Sequence, residues 1–114
     1  MRPRSPQLLE DIRDAAAFIV EVTRGVTLER YAADRMLRQA VERNFEIIGE
    51  AVKRLSAADP ATAARIGHRE QIIAFRNILI HGYDLLDHGL VLTTAENQVP
   101  KLLVEVEALL AERG

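Results

Sequence analysis

The sequence predicts an all-α protein, an antiparallel helical bundle of four main helices plus one or two short ones, forming one domain over residues 1–114. Three observations predict it. Apolar residues recur at three- and four-residue spacing through most of the chain. Ala, Leu, Glu and Arg are abundant in a composition that is 48 % hydrophobic but 4 % aromatic. No segment alternates apolar and polar residues for long enough to make a strand. At 114 residues the chain can fill one core but not two.

Each element has its own signal. Ser5-Pro6 reads as an N-cap followed by proline at the first helical position. The helix it opens carries Leu8, Leu9, Ile12, Ala15, Ala16, Ile19 and Val22 on one stripe, and Gly25 ends it. A short turn or helix with Leu28 and Tyr31 fits between Thr27 and Ala33. The longest helix then runs from Asp34 to about Ser56, with Leu37, Ala40, Val41, Ile47, Ile48, Ala51, Val52 and Leu55 in helical period. Gly49 interrupts its propensity at a cost of about 1 kcal/mol and marks a close approach of another helix. Glu46 and Glu50 are like charges one turn apart and require a cation, which Arg43, Lys53 or Arg54 can supply. Asp59-Pro60 opens a short helix through about Ile66, with Gly67 behind it. The next helix spans Arg69 to His81. Gly82 to Gly89 reads as a loop, Leu90 to Asn97 and Lys101 to Arg113 as helical, and Pro100 either kinks or divides that last stretch.

Composition narrows the function. There are no cysteines, hence no disulfide or thiolate chemistry. The three histidines, His68, His81 and His88, do not stand at metal-ligand spacing, so no metal or other cofactor is expected. No stretch reaches the roughly 18 apolar residues of a membrane span, and no signal core follows the basic Met1–Arg4 segment, so the expected location is cytoplasmic. A net charge of −2 argues against coating nucleic acid by bulk electrostatics, although it leaves room for a local cleft. Five arginines lie between Arg24 and Arg43, interspersed with acids, which reads as a mixed solvated surface.

The stretch Arg76-Asn77-Ile78-Leu79-Ile80-His81-Gly82-Tyr83 is chemically unusual. On a helix at about 100° per residue, Ile72, Phe75, Leu79 and Ile80 fall around Arg76, which places a guanidinium inside an apolar stripe. An unpaired charge there costs several kcal/mol, so Arg76 must be paired or line a cleft. Glu46 or Glu50 of the long helix is a candidate partner that would orient it. His81 lies roughly 140° around from Arg76 and Tyr83 almost above it, so one straight helix cannot aim all three at one atom. Either the helix breaks near His81, at Gly82, or a second copy of the chain completes the site. The plainer reading is a structural ion pair for Arg76 and a helix-capping role for His81. His68 and His88 read as exposed loop residues, and Phe18, Tyr31, Phe45 and Phe75 as core.

These residues resemble a known superfamily. Arg76-Asn77-x-x-x-His81-x-Tyr83 is similar to the R-x4-H-x-Y signature of HEPN proteins. Together with Arg43-Asn44-Phe45-Glu46-Ile47-Ile48-Gly49-Glu50-Ala51, Leu9-Glu10-Asp11-Ile12 and Pro100-Lys101-Leu102, it resembles the HepT-like branch over nearly the whole chain. One departure is the Trp that such proteins often carry before the motif helix, where Ile66-Gly67-His68 stands here. The resemblance implies a dimer with two motifs facing one cleft, acting as a metal-independent endoribonuclease and as the toxin of a type VII-like HEPN/MNT toxin–antitoxin pair. It implies catalytic roles for Arg76 and His81 and a supporting one for Asn77. It also implies an MntA-like minimal nucleotidyltransferase antitoxin that transfers AMP to Tyr83. The competing readings are a non-catalytic nucleotide- or partner-binding helical dimer and a purely structural bundle.

Overall fold

The computed structural model describes residues 1–82 and 86–113. Among them the chain forms α1 (Ser5–Thr23), α2 (Leu28–Ala33), α3 (Arg35–Ala58), α4 (Pro60–Ala63), α5 (Arg69–His81), α6 (His88–Asn97) and α7 (Val99–Arg113), and no strand. Four of these are long and three short, because Pro100 sits in the first turn of α7 and the chain divides at Gln98.

The predicted stripes form the core. Leu9, Ile12, Ala16 and Ile19 of α1 meet Val41, Ile48, Val52 and Leu55 of α3, and Val99, Leu102, Val106 and Leu109 of α7 close the other side. α1 packs on both α3 and α7, α6 lies against α7, α1 and α2, and α5 packs principally on α3. The motif helix is therefore a flank and not a central stave. Only Leu79 of α5 is fully buried, while Ile78 and Ile80 stay exposed.

Local chemistry sets the helix ends. Gly25 takes φ +71 just after α1, a left-handed turn that favours glycine. Thr27, Asp34, Asp59 and Asp87 each accept the backbone N–H three residues ahead, capping α2, α3, α4 and α6.

Three expectations are corrected. Ser5 is not a cap: it is the first residue of α1, and its buried hydroxyl donates to Asp59 Oδ2 at 2.7 Å. Asp59 also accepts from Arg2 N and from the Thr62 N–H and hydroxyl, so one carboxylate ties the start of α1 to α4. Those hydrogen bonds, led by the one from Ser5, hold its carboxyl well below the usual aspartate range. His88 is not an exposed loop residue. It opens α6 half-buried, with its ring edge-on to Tyr31 at 6.2 Å. Phe18 stays 36 % exposed, whereas Phe45 and Phe75 meet edge to face at 5.0 Å beneath α5.

Candidate active site

Gly49 decides where Arg76 sits. A Cβ on Gly49 would lie 2.3 Å from Arg76 Cβ and 2.7 Å from its Cγ. The bare backbone of α3 is thus what lets the root of the Arg76 side chain rest against it, and the predicted close approach is the crossing of α3 and α5. From that crossing the guanidinium reaches Glu50, the next residue of α3. Arg76 Nη2 donates to Glu50 Oε2 at 3.0 Å, and Nη1 donates to Asn77 Oδ1 at 3.0 Å. The Arg76 side chain is 21 % exposed, and its Nε is buried without a hydrogen-bond partner among the described residues.

Glu50 has a second cation. Arg54 Nε donates to Oε1 at 3.0 Å, so the two carboxylate oxygens face different guanidinium groups. The Arg54 hydrogen bond, aided by the charges of Arg76, Arg54 and Lys53, lowers the Glu50 pKa and keeps the group ionised. Glu46, the other candidate, does not reach Arg76. It pairs with Arg43 at 3.2 Å, since it lies one turn, about 6 Å, back along α3 from the crossing.

His81 is the last residue of α5 and is exposed. The helix ends there, as predicted, with the Gly82 N–H donating to Ile78 O at 2.8 Å. No hydrogen bond or ion pair joins the His81 side chain to Arg76, Asn77 or Glu50. The structure thus brings Arg76, Asn77, Glu50 and Arg54 together within one chain and leaves His81 facing outward at the helix terminus. Tyr83 lies outside the described residues. Arg54 was visible only as a local partner for Glu50, at i+4. Its sharing of that carboxylate with Arg76 depends on the crossing of two helices, which no local pattern encodes.

Among the described residues no group of three or more His, Asp or Glu side chains is arranged to hold a metal ion, and no helix is long and apolar enough to cross a membrane.

A family profile described as "Ribonuclease HepT-like" matches residues 12–109. The chain belongs to the HepT-like ribonuclease family. Relatives named as ribonucleases match most of its length. The "Probable ribonuclease HepT" of Thermococcus cleftensis is 33 % identical over 109 residues, covering 96 % of this chain and 98 % of the relative. "Putative RNase MJ1380" of Methanocaldococcus jannaschii is 33 % identical over 99 residues, 87 % of this chain and 90 % of its own. "Putative RNase TTE0752" of Caldanaerobacter subterraneus is 31 % identical over 102 residues, covering 90 % of each. No solved structure matches the chain at a significant level. Membership of the HepT-like family agrees with the all-α fold of the described residues.

Proposed function

We propose that the chain is a metal-independent endoribonuclease that works as a homodimer, cutting RNA where the Arg76–His81 stretches of two copies face one another. The observation that carries this reading is the held guanidinium of Arg76. A core built for stability alone gains more from an apolar residue at such a place, whereas a phosphate site needs a fixed, charged fork. Glu50 and Asn77 fix that fork, and α5 exposes an imidazole five residues further on. Membership of the HepT-like family and the ribonuclease names of the relatives support the same reading.

The reaction follows from the groups available. The RNA 2′-oxygen attacks the adjacent phosphorus as its proton passes to one His81 imidazole. The bond from phosphorus to the 5′-oxygen breaks, and that oxygen takes a proton from the second His81, contributed by the other subunit. Imidazole is the motif group that exchanges protons near neutral pH. The guanidinium of Arg76 holds the charge that develops on the phosphorane. The outward placement of His81 suits this division, because an exposed helix end is within reach of a second copy.

In the cell this activity makes the chain the toxin of a type VII-like pair. Its antitoxin is a minimal nucleotidyltransferase: the Tyr83 phenolic oxygen attacks the α-phosphorus of ATP, pyrophosphate leaves, and the phenolic proton is released. The added anion then competes with the substrate phosphate for Arg76. Producing the chain alone is expected to arrest growth, and Arg76→Ala to abolish the arrest while the protein stays folded. Co-production with the nucleotidyltransferase adds the mass of one adenylate at Tyr83. Arrest that survives Arg76→Ala overturns the reading, and a silenced complex with unmodified Tyr83 overturns the adenylation step.

A further inference from the structure

We infer that Arg54 binds the phosphate next to the one that is cut, so that Arg54 and Arg76, bridged by Glu50, form a clamp for two consecutive phosphates of an RNA strand. The inference rests on the ribonuclease reading and extends it along the substrate.

Two bonds of 3.0 Å to the two oxygens of one carboxylate keep the guanidinium groups of Arg54 and Arg76 within about 8 Å of each other. Neighbouring phosphates of one strand are about 3.4 Å apart along a duplex axis and farther apart through space, so two guanidinium groups this close can engage consecutive phosphates. Arg54 engages Glu50 through Nε, and among the described residues neither of its terminal amino groups has a hydrogen-bond partner. They form the edge of the fork that pairs bidentately with a phosphate. The two arginines also differ in access. The Arg76 side chain is 21 % exposed and that of Arg54 is 68 % exposed, so one is rooted in the fold and the other lies on the surface beside it.

The surroundings limit where an anion can lie. Next to Glu50 and Arg54 is a shallow depression of about 210 Å³ between α1 and α3, and Asp11 and Glu46 contribute negative charge to its walls. Glu46 is neutralised in part by Arg43 at 3.2 Å, whereas Asp11 accepts from the neutral amide of Gln7 and has no ion pair among the described residues. Arg43 is eleven residues from Arg54, about 16 Å along α3, too far to share the same pair of phosphates. Where Arg54 and Arg76 share Glu50, two cations meet one carboxylate, which leaves a net positive charge at that point. A lone Glu50–Arg54 pair would be ordinary helix decoration. What sets it apart is that the second oxygen of the same carboxylate holds the motif arginine.

The test compares cleavage of a dinucleoside monophosphate with that of the same dinucleotide carrying one extra phosphate, at its 5′ end in one arm and its 3′ end in the other. The unaltered chain is expected to prefer one of the phosphorylated substrates by about tenfold in kcat/KM. Arg54→Ala brings that ratio close to one, and Arg54→Lys restores it in part. Arg65→Ala removes an exposed arginine that pairs with Glu112 and is expected to leave the ratio alone. A ratio unaffected by Arg54→Ala, or lowered equally by Arg65→Ala, overturns the inference. Binding of a fluorescein-labelled oligoribonucleotide gives a readout independent of cleavage. Arg54→Ala is expected to reduce the slope of log Kd against log salt by about 0.7, one phosphate contact on a single strand. An unchanged slope overturns the inference even where cleavage persists, and absence of cleavage with the slope change present removes the ribonuclease reading alone.

Discussion

Replacing Gly49 with alanine puts opposing effects on one atom. In a helix interior the substitution adds about 1 kcal/mol from backbone entropy and propensity. At this position the new Cβ falls 2.3 Å from Arg76 Cβ, against the roughly 3.5 Å or more of an ordinary carbon contact. Arg76 cannot swing away by changing rotamer, because its Cβ moves with the backbone of α5. The helix must retreat by about 1 Å, and such overpacking costs typically 1–3 kcal/mol. The net change is a loss of about 0–2 kcal/mol, where an open position would gain about 1. For a domain of this size 1 kcal/mol moves Tm by about 4–5 °C. Thermal unfolding followed by circular dichroism separates a fall in Tm from a rise. RNA cleavage by the same preparation should drop by at least tenfold, since α5 carries Arg76 away from Glu50. A variant with Tm raised by about 4 °C and full cleavage would refute the reasoning that Gly49 exists to seat Arg76.

Further outcomes follow from other groups. Glu50→Gln leaves a single acceptor oxygen for two arginines, so cleavage should fall about tenfold while Tm moves by less than about 2 °C, as the pairs are partly exposed; unchanged kinetics would deny Glu50 a positioning role. Asp59 titrates below its usual range in the folded chain, so its contribution to stability is complete above about pH 4, where the unfolded aspartate is ionised, and is lost as pH falls through the depressed folded value. The Tm gap between the unaltered chain and Asp59→Asn should accordingly narrow from pH 5 to pH 2, and a constant gap contradicts the linkage. The Tyr31 hydroxyl is buried without a partner among the described residues, and burial raises its pKa; Tyr31→Phe should stabilise the fold by about 1 kcal/mol, and a loss of that size would mean that the hydroxyl is hydrogen-bonded after all.

Most of the architecture was legible because it depends on local pattern. The stripe of Leu9, Ile12, Ala16 and Ile19, the Asp59-Pro60 start and the Gly25 stop are each written within a few residues, and the corresponding helices sit where they predict. Ser5 was misread because the same hydroxyl that caps a helix can be taken by a buried carboxylate 54 residues away, and sequence shows only the nearer option. His88 was misread because Gly89 weakens the helical signal that the Asp87 cap supplies. In the site, the helical wheel sets Arg76 and His81 on different faces of one helix, and among the described residues no hydrogen bond joins them. Choosing Glu50 over Glu46 required knowing where α5 crosses α3. Gly49 marked that point, but its neighbour across the crossing becomes evident only in three dimensions.

The chemistry assigned to Arg76 and His81 is tested most directly by the ends of the RNA fragments. Purified protein incubated with single-stranded RNA in excess chelator should yield 2′,3′-cyclic phosphate and 5′-hydroxyl termini, and His81→Ala should yield none. Fragments that form only with added magnesium, or that persist at the native rate with His81→Ala, would contradict it.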